Sequence, residues 1–320
     1  MKIAFVGKGG SGKTTLAALL ARHLAAAPDR PPLLAVDADI NQHLAAALGA
    51  GENAAQPALG DHLAEIKDYL RGDNPRISSA AAMVKTTPPG RGSRLLSVAG
   101  PNPVYDLAVR DVHGVRLAVT GPFAEQDLGV ACYHSKVGAV ELLLNHLVDG
   151  PGEYAVVDMT AGADSFASGL FTRFDTTFLV CEPTLRSVGV FRQYVGYARD
   201  HGVRVHVVGN KIFDESDVAF LQSHVGDDLL TWFGRSDWVR AAERGEVRPL
   251  DALEPANHAA LRLLREAADS AEKDWHRYAR QAAEFHRRNA TAWANDRTGE
   301  DLAAQIDPGF VLGDHPQLVH

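Results

Sequence analysis

A glycine- and lysine-rich run near the start of the chain has the residue types and the spacing that bind phosphate. It reads Gly7-Lys8-Gly9-Gly10-Ser11-Gly12-Lys13-Thr14-Thr15. An apolar run precedes it and an alanine- and leucine-rich stretch over 16–27 follows it, so we predict a strand, a loop and a helix in that order. Glycines let backbone N–H groups close around phosphate oxygens, and the start of a helix adds partial positive charge. The run therefore predicts a phosphate-binding loop.

Two side chains at the end of this loop predict what it binds. The spacing fits G-x-x-x-x-G-K-T, in which Lys13 reaches the β- and γ-phosphates of a nucleotide and Thr14 offers its hydroxyl to Mg²⁺. A glycine-rich turn without a ligand is the alternative, but packing gives no reason for a lysine followed by a threonine at a helix start. We therefore expect a nucleotide and Mg²⁺ as cofactors.

An additional lysine, Lys8, makes the loop more specific. The form K-G-G-x-G-K-T-T resembles the deviant Walker A loop of the family that includes MinD, ParA, the nitrogenase iron protein and the CooC-type nickel-insertion ATPases. This resemblance implies an ATPase that forms a homodimer when ATP is bound. Lys8 would then be similar to an arginine finger in trans and touch the phosphates of the other subunit. The alternative reading of Lys8 is a solvated charge.

Carboxylates follow two further predicted strands. Asp37 and Asp39 end a strand that begins at Leu33, and Asp158 ends another, four residues before Gly162. The carboxyl ends of parallel strands are where such sheets place ligands. By resemblance, Asp39 positions or deprotonates the attacking water, Asp158 holds Mg²⁺ through water, and the Gly162 N–H senses the γ-phosphate. Asp37 could instead brace the loop or cap the next helix.

The strand predicted over 204–211 ends in Asn210 and Lys211. In related nucleotide-binding proteins an asparagine in this setting bonds the base, and its side chain carries both the donor and the acceptor that the adenine edge requires. A simple turn after the strand is the alternative, because asparagine is also common in turns.

A possible metal loop precedes the helix predicted over 137–148. Cys132 matches the first cysteine of the loop G-x-G-C-x-C-P of CooC-type proteins, whereas His134 takes the place of the second. Both thiolate and imidazole bind Zn²⁺ or Ni²⁺, so two such loops meeting at a dimer interface would supply two sulfurs and two nitrogens. One subunit alone offers too few ligands. A small buried cysteine and a surface histidine are the alternative.

Composition limits the partners and the compartment. The 320 residues carry 32 basic and 40 acidic side chains, a formal charge of −8, and no basic block stands out, so we expect no nucleic-acid partner. No apolar run approaches the roughly 20 residues that span a membrane. Only two cysteines and a first strand that leaves no room for a leader predict a cytoplasmic location.

Alternating strands and helices predict an α/β fold, a doubly wound and mostly parallel sheet of the P-loop NTPase type with a C-terminal helical extension. We assign residues 1–274 to the ATPase domain and 275–320 to the extension and tail. One apolar seam at helical spacing runs from Leu261 to Phe285, and its first half should cover the ATPase core. Residues 72–94, rich in Pro, Gly, Ser and Thr, are predicted to form a surface excursion.

These features predict an ATP-hydrolysing, dimerising switch that assists the maturation of a metal centre in a client protein. The run from Asp158 to Gly162, D-M-x-A-G, is closer to the D-M-E-A-G of CooC-type ATPases than to the D-x-P-A-G of MinD-like ones. The alternative is a MinD- or ParA-like positioning or regulatory ATPase without a metal role. An iron–sulfur protein is disfavoured because Cys181 lies inside a predicted strand.

Overall fold

The computed structural model describes residues 1–39, 41–51, 57–121, 134–160, 166, 169–246 and 248–314, with side chains left undescribed at 134–136 and 314. The strands are β1 (Lys2–Gly7), β2 (Leu33–Ala38), β3 (Leu96–Ser97), β4 (Val109–Val112), β5 (Val115–Val119), β6 (Leu147–Val148), β7 (Tyr154–Met159), β8 (Thr176–Cys181), β9 (Val205–Ile212) and β10 (Leu229–Gly234). The α-helices are α1 (Lys13–Ala25), α2 (Leu44–Ala47), α3 (Leu63–Arg71), α4 (Pro103–Ala108), α5 (His134–His146), α6 (Leu185–Arg199), α7 (Glu215–Val225), α8 (Asp237–Ala242), α9 (Pro255–Asp269), α10 (Trp275–Asn289) and α11 (Asn295–Thr298).

An eight-stranded sheet forms the centre of the molecule, in the order β10-β9-β8-β1-β7-β2-β5-β4. Among the strands of the described residues, only the edge pair β4–β5 is antiparallel, and β3 and β6 form a separate parallel pair. Parallel sheets are covered on both faces, which explains why residues 3–6 of β1 are all apolar and the whole strand is buried. The predicted doubly wound, mostly parallel α/β class is confirmed.

Alternate residues of β1 divide the core into two layers. Ile3 and Phe5 pack in the cluster formed with α1 and α9, whereas Ala4 and Val6 pack in the cluster formed with α3, α5 and α6. Successive side chains of a strand point to opposite faces, so the chain must return on both sides of the sheet. The predicted phosphate-binding loop follows β1 and therefore lies at the carboxyl edge of the sheet, as do Asp37 in β2 and Asp158 in β7.

The C-terminal part consists of two helices where one seam was predicted. The first, α9, covers the sheet as expected, but the helix ends at Asp269 and α10 starts at Trp275. Asp274 caps α10 by accepting a hydrogen bond from the Arg277 N–H at 2.8 Å. The new helix therefore begins where the sequence predicted the extension to begin, and the separate domain status of 275–320 stays a prediction. No helix among the described residues is long and apolar enough to cross a membrane.

A group of charged residues at the amino edge of the sheet contacts the start of the extension. Lys273 bonds the carboxylates of both Asp149 and Asp175, and the Tyr278 hydroxyl donates to Asp175 at 2.9 Å. The Lys2 ammonium lies 3.5 Å from Asp149 and 5.1 Å from the ring centre of Tyr278. Burial lowers the pKa of Lys2 to about 8. Burial alone would raise the pKa of Asp149, but Lys273 and Lys2 outweigh it and hold that pKa well below its usual value.

The predicted surface excursion over 72–94 is exposed only in part, because residues 82–84 and 86–90 are buried. Met83 packs in the core layer of α3 and α5, and the Thr87 hydroxyl donates to Gln305 of the extension at 3.0 Å. The Thr86 hydroxyl is 3.1 Å from the His286 ring, and both guanidinium contacts from Arg91 to Asp307 measure 2.9 Å. Proline and glycine predict an irregular backbone, but they carry no information about what covers it.

Candidate nucleotide-binding site

The phosphate-loop residues lie between β1 and α1, as the sequence predicts. Gly12, the last residue before α1, has a φ of 98°, in the region that favours glycine. A side chain there would also collide with Asn210, because a Cβ atom would lie 2.1 Å from the Asn210 amide nitrogen. The positive φ therefore favours glycine at this position, and any larger residue would also displace the Asn210 side chain.

Both lysines of the loop have defined places. Lys13 is 5% exposed, and its ammonium donates to the Lys8 carbonyl at 3.4 Å. A buried cation at the start of a helix, beside a loop rich in glycine, is suited to hold phosphate oxygens. Lys8 is more accessible, with 35% of its side chain exposed. The structure thus gives the two lysines different surroundings, one inside the loop and one at its surface.

Two buried carboxylates face the loop from neighbouring strands. Asp158 pairs in register with Phe5, two residues before Gly7, and on its other side with Asp37. Within the described residues neither Asp158 oxygen has a hydrogen-bond partner at normal geometry. Burial raises the pKa of Asp158 to about 8, with a further contribution from Asp37, although the nearby Thr14 hydroxyl and Lys13 oppose the shift. An unpaired, buried carboxylate beside a threonine hydroxyl suits Mg²⁺.

The two aspartates after β2 have separate tasks. Asp37 accepts hydrogen bonds from the Asp39 N–H at 3.1 Å and from the Leu44 N–H, at the start of α2, at 2.9 Å. It therefore braces the loop and caps the helix, the alternative left open by the sequence. Burial raises the pKa of Asp37 to about 7 despite these two donors. Asp39 is half-buried and accepts from the Asn41 N–H and side-chain amide at 2.9 and 3.0 Å.

Two charged residues that sequence reasoning did not select join this site. Glu182 follows β8, and its carboxylate contacts the Lys8 ammonium at 3.3 Å and the Lys211 ammonium at 2.6 Å. Lys211 also donates to the Gly10 carbonyl at 2.7 Å. Burial alone would raise the pKa of Glu182, but the two lysines outweigh it and lower that pKa. For Glu182, the available signal in the sequence was a charged residue directly after a buried strand.

Asn210 lies against the loop, and its base-binding role stays a prediction. Its amide nitrogen donates to the Ser11 carbonyl at 2.7 Å. One of the two amide hydrogens is thereby used within the chain, and the second hydrogen and the amide oxygen remain to bond a base. The position of Asn210 beside Gly12 is compatible with such a contact.

Three predicted site residues cannot be placed in the site. Gly162 and Cys132 lie outside the described residues, and His134 begins α5 without a described side chain. Within the described part of the chain, no group of three or more His, Cys, Asp or Glu side chains is arranged to hold a metal ion. The Cys132 and His134 ligand pair therefore stays a prediction.

A glycine loop joins a strand to a helix that starts with a lysine and a threonine, and the neighbouring strand carries an aspartate at its end. This arrangement defines a P-loop nucleotide-binding protein. The chain belongs to the CobQ/CobB/MinD/ParA nucleotide-binding domain family, whose model matches residues 3–295. The resemblance on which the sequence prediction depends is thus confirmed, and membership identifies the chain as a MinD/ParA-type ATPase.

Similar proteins extend this assignment. The carbon monoxide dehydrogenase accessory protein CooC of Rhodospirillum rubrum is 29% identical over 258 residues, which are 80% of this chain and 91% of that protein. An uncharacterised ATP-binding protein of Methanocaldococcus jannaschii is 27% identical over 234 residues, 72% of this chain and 81% of that protein.

Solved structures share the fold at lower identity. MinD of Aquifex aeolicus, in a complex with MinC, superposes with a TM-score of 0.54 at 18% identity and covers 85% of this chain and 98% of its own. A ParA family ATPase of Chlorobium tepidum gives a TM-score of 0.53 at 16% identity, over 84% of this chain and 94% of its own. These matches show the fold alone.

Proposed function

We propose that the protein is a Mg²⁺-dependent ATPase that closes as a homodimer around two ATP molecules and assists the maturation of a metal centre in a client protein. The observation that carries the ATPase part is the position of Asp158, buried and unpaired among the described residues, next to a phosphate loop with a buried Lys13. The similarity to a carbon monoxide dehydrogenase accessory protein supports the maturation part.

Each residue of the site has a role in this proposal. Lys13 and the N–H groups of the loop bind the β- and γ-phosphates, and Thr14 with Asp158 holds Mg²⁺, which offsets phosphate charge when bound. Asp39 orients the attacking water or accepts its proton, and Lys8 contacts the phosphates of the second subunit. Because Asp37 holds the Asp39 N–H, it fixes the position from which Asp39 acts.

The output of the switch is the loop that carries Cys132 and His134. His134 is the first residue of α5, whose Leu143 packs in the same core layer as Val157 of β7. A shift at the end of β7 on hydrolysis would therefore be felt through this layer. Two loops, one from each subunit, would then bind Zn²⁺ or Ni²⁺ as cargo for a client metalloprotein.

The ATPase part is tested with Lys13→Ala. We expect ATP turnover to fall about 10²- to 10³-fold, the typical loss when one preorganised charge contact to a reacting group is removed. Lys67→Ala, on α3 and outside the site, provides the matched control and should keep the wild-type rate. Turnover of Lys13→Ala at the wild-type rate contradicts the active-site assignment.

The metal part is tested by equilibrium dialysis with Zn²⁺ or Ni²⁺ in the presence of an ATP analogue. We expect one ion per dimer and none in a Cys132→Ala, His134→Ala double variant. Unchanged dimerisation with no ion bound by the wild type would favour the other candidate, a positioning or regulatory ATPase that handles no metal.

A further inference from the structure

Lys8, which the proposed dimer needs at the partner's phosphates, is bonded within its own subunit. Its ammonium lies 3.3 Å from the Glu182 carboxylate, a contact between residues 174 positions apart in the chain. Glu182 is largely covered, with 14% of its side chain exposed, whereas Lys8 is 35% exposed. The flexible, accessible partner is therefore the lysine, and the carboxylate is the fixed one.

Lys211 keeps that carboxylate in place. Its ammonium bonds the second oxygen of Glu182 at 2.6 Å and the Gly10 carbonyl at 2.7 Å. Lys211 has a φ of 59°, a left-handed backbone that a lysine rarely adopts, and this conformation accompanies the contact with the phosphate loop. Glu182 thus has one short contact that ties it to the loop and one longer contact to Lys8.

We infer that Glu182 is a positioning residue that retains Lys8 inside its own subunit and sets how readily Lys8 is handed to the neighbouring subunit's phosphates. This inference rests on the proposed dimer. When Lys8 leaves, Glu182 stays neutralised by Lys211, so the exchange does not leave an unpaired carboxylate. The retaining contact is partly exposed and long, which makes it weak enough to be replaced by a triphosphate.

The inference predicts opposite effects for two neighbours in one cluster. Glu182→Gln releases Lys8 and should strengthen dimerisation. In Lys211→Gln, Lys8 is the remaining cation in contact with Glu182. Glu182 should then hold Lys8 more strongly within its own subunit, so dimerisation should weaken. A cluster that served only to hold the loop together would lose dimerisation in both variants.

The experiment measures the dimer dissociation constant by analytical ultracentrifugation with a saturating, hydrolysis-resistant ATP analogue and Mg²⁺. Glu182→Gln should lower the constant about twofold to twentyfold, because each subunit of a two-fold dimer gives up one exposed ion pair, which usually changes an equilibrium by up to about fivefold. The difference should disappear in about 1 M salt, where the screening length falls to about 3 Å.

Glu215→Gln is the matched control. Glu215 is exposed and begins α7, which follows the carboxyl end of β9. Its replacement by glutamine removes the same charge as Glu182→Gln does. It should dimerise as the wild type does. A wild-type protein that stays monomeric with the analogue contradicts the proposed dimer. A dimeric wild type with an unchanged or weakened Glu182→Gln dimer contradicts only the role of Glu182.

Discussion

The two edges of the sheet each bury a pair of carboxylates, with opposite results. At the amino edge, Asp149 and Asp175 are bonded by Lys273, and the pKa of Asp149 lies well below its usual value. At the carboxyl edge, burial raises the pKa of Asp37 to about 7 and that of Asp158 to about 8. Similar burial therefore gives two electrostatic outcomes, depending on whether the chain supplies the cation.

The difference separates structure from function in this molecule. A buried carboxylate with lysines in contact is already compensated, and its task is to hold elements together. A buried carboxylate without a compensating cation is costly unless a ligand supplies the charge. This contrast favours the carboxyl edge over the amino edge as the position of the proposed Mg²⁺.

The largest expected effect breaks the compensated pair. Lys273→Met removes the cation shared by Asp149 and Asp175, and we expect the free energy of unfolding to fall by about 3 kcal/mol because two buried carboxylates lose a partner. Urea denaturation measures this loss. Arg240→Met removes an exposed ion pair with Asp237 and should cost at most about 1 kcal/mol. Equal losses in the two variants would show that Lys273 contributes no more than an exposed ion pair and would contradict its role at the amino edge.

A smaller effect of opposite sign is expected at Asp158. Its folded-state pKa of about 8 exceeds the ordinary value of 3.8, so the folded protein binds the extra proton and loses stability as the pH rises between these values. Without Mg²⁺, Asp158→Asn should therefore be more stable than the wild type at pH 7. At about 1.4 kcal/mol per pKa unit, the range between 3.8 and pH 7 sets an upper limit of about 4 kcal/mol, and we expect roughly half of it, because the buried asparagine amide also loses its contacts with water.

The pH series provides the check on this prediction. Thermal unfolding of both proteins from pH 5 to pH 8, without nucleotide or metal, should show the gap widening with pH. Adding Mg²⁺ and ATP should stabilise the wild type and leave Asp158→Asn nearly unchanged. A gap that stays constant over this range would show that Asp158 does not titrate as its burial implies.

The smallest expected effect distinguishes the two aspartates of the carboxyl edge. Asp37 accepts two backbone hydrogen bonds with its two oxygens, and an asparagine can accept only at one. Asp37→Asn should therefore lose about 1 kcal/mol for one buried N–H left unpaired, against the gain from removing the charge. Because burial raises the folded-state pKa of Asp37 to about 7, the wild type loses stability as the pH rises from 3.8 to 7. Urea denaturation should therefore show the stability of Asp37→Asn relative to the wild type rising over that pH range.

Local patterns predicted the elements around the candidate site where its parts are close in sequence. The glycine loop, the strand ends and Asp158 were predicted because a buried run followed by a carboxylate needs few residues to be recognised. Glu182 and Lys211 were not selected, since their partners lie far away in the chain and leave no periodic trace. The same reason applies to the buried middle part of residues 72–94. Thr86 and Thr87 contact His286 and Gln305, which lie about 200 residues further along the chain.

The contact of Lys2 with α10 couples the first strand of the protein to its C-terminal extension. Its ammonium lies 5.1 Å from the ring centres of both Trp275 and Tyr278, the first residues of α10 to face it, while the same lysine begins β1. Without those rings, a lysine buried at this point would face water or an unfilled space. A related ATPase could thus receive this appendage by recombination only if its opening strand changed with it.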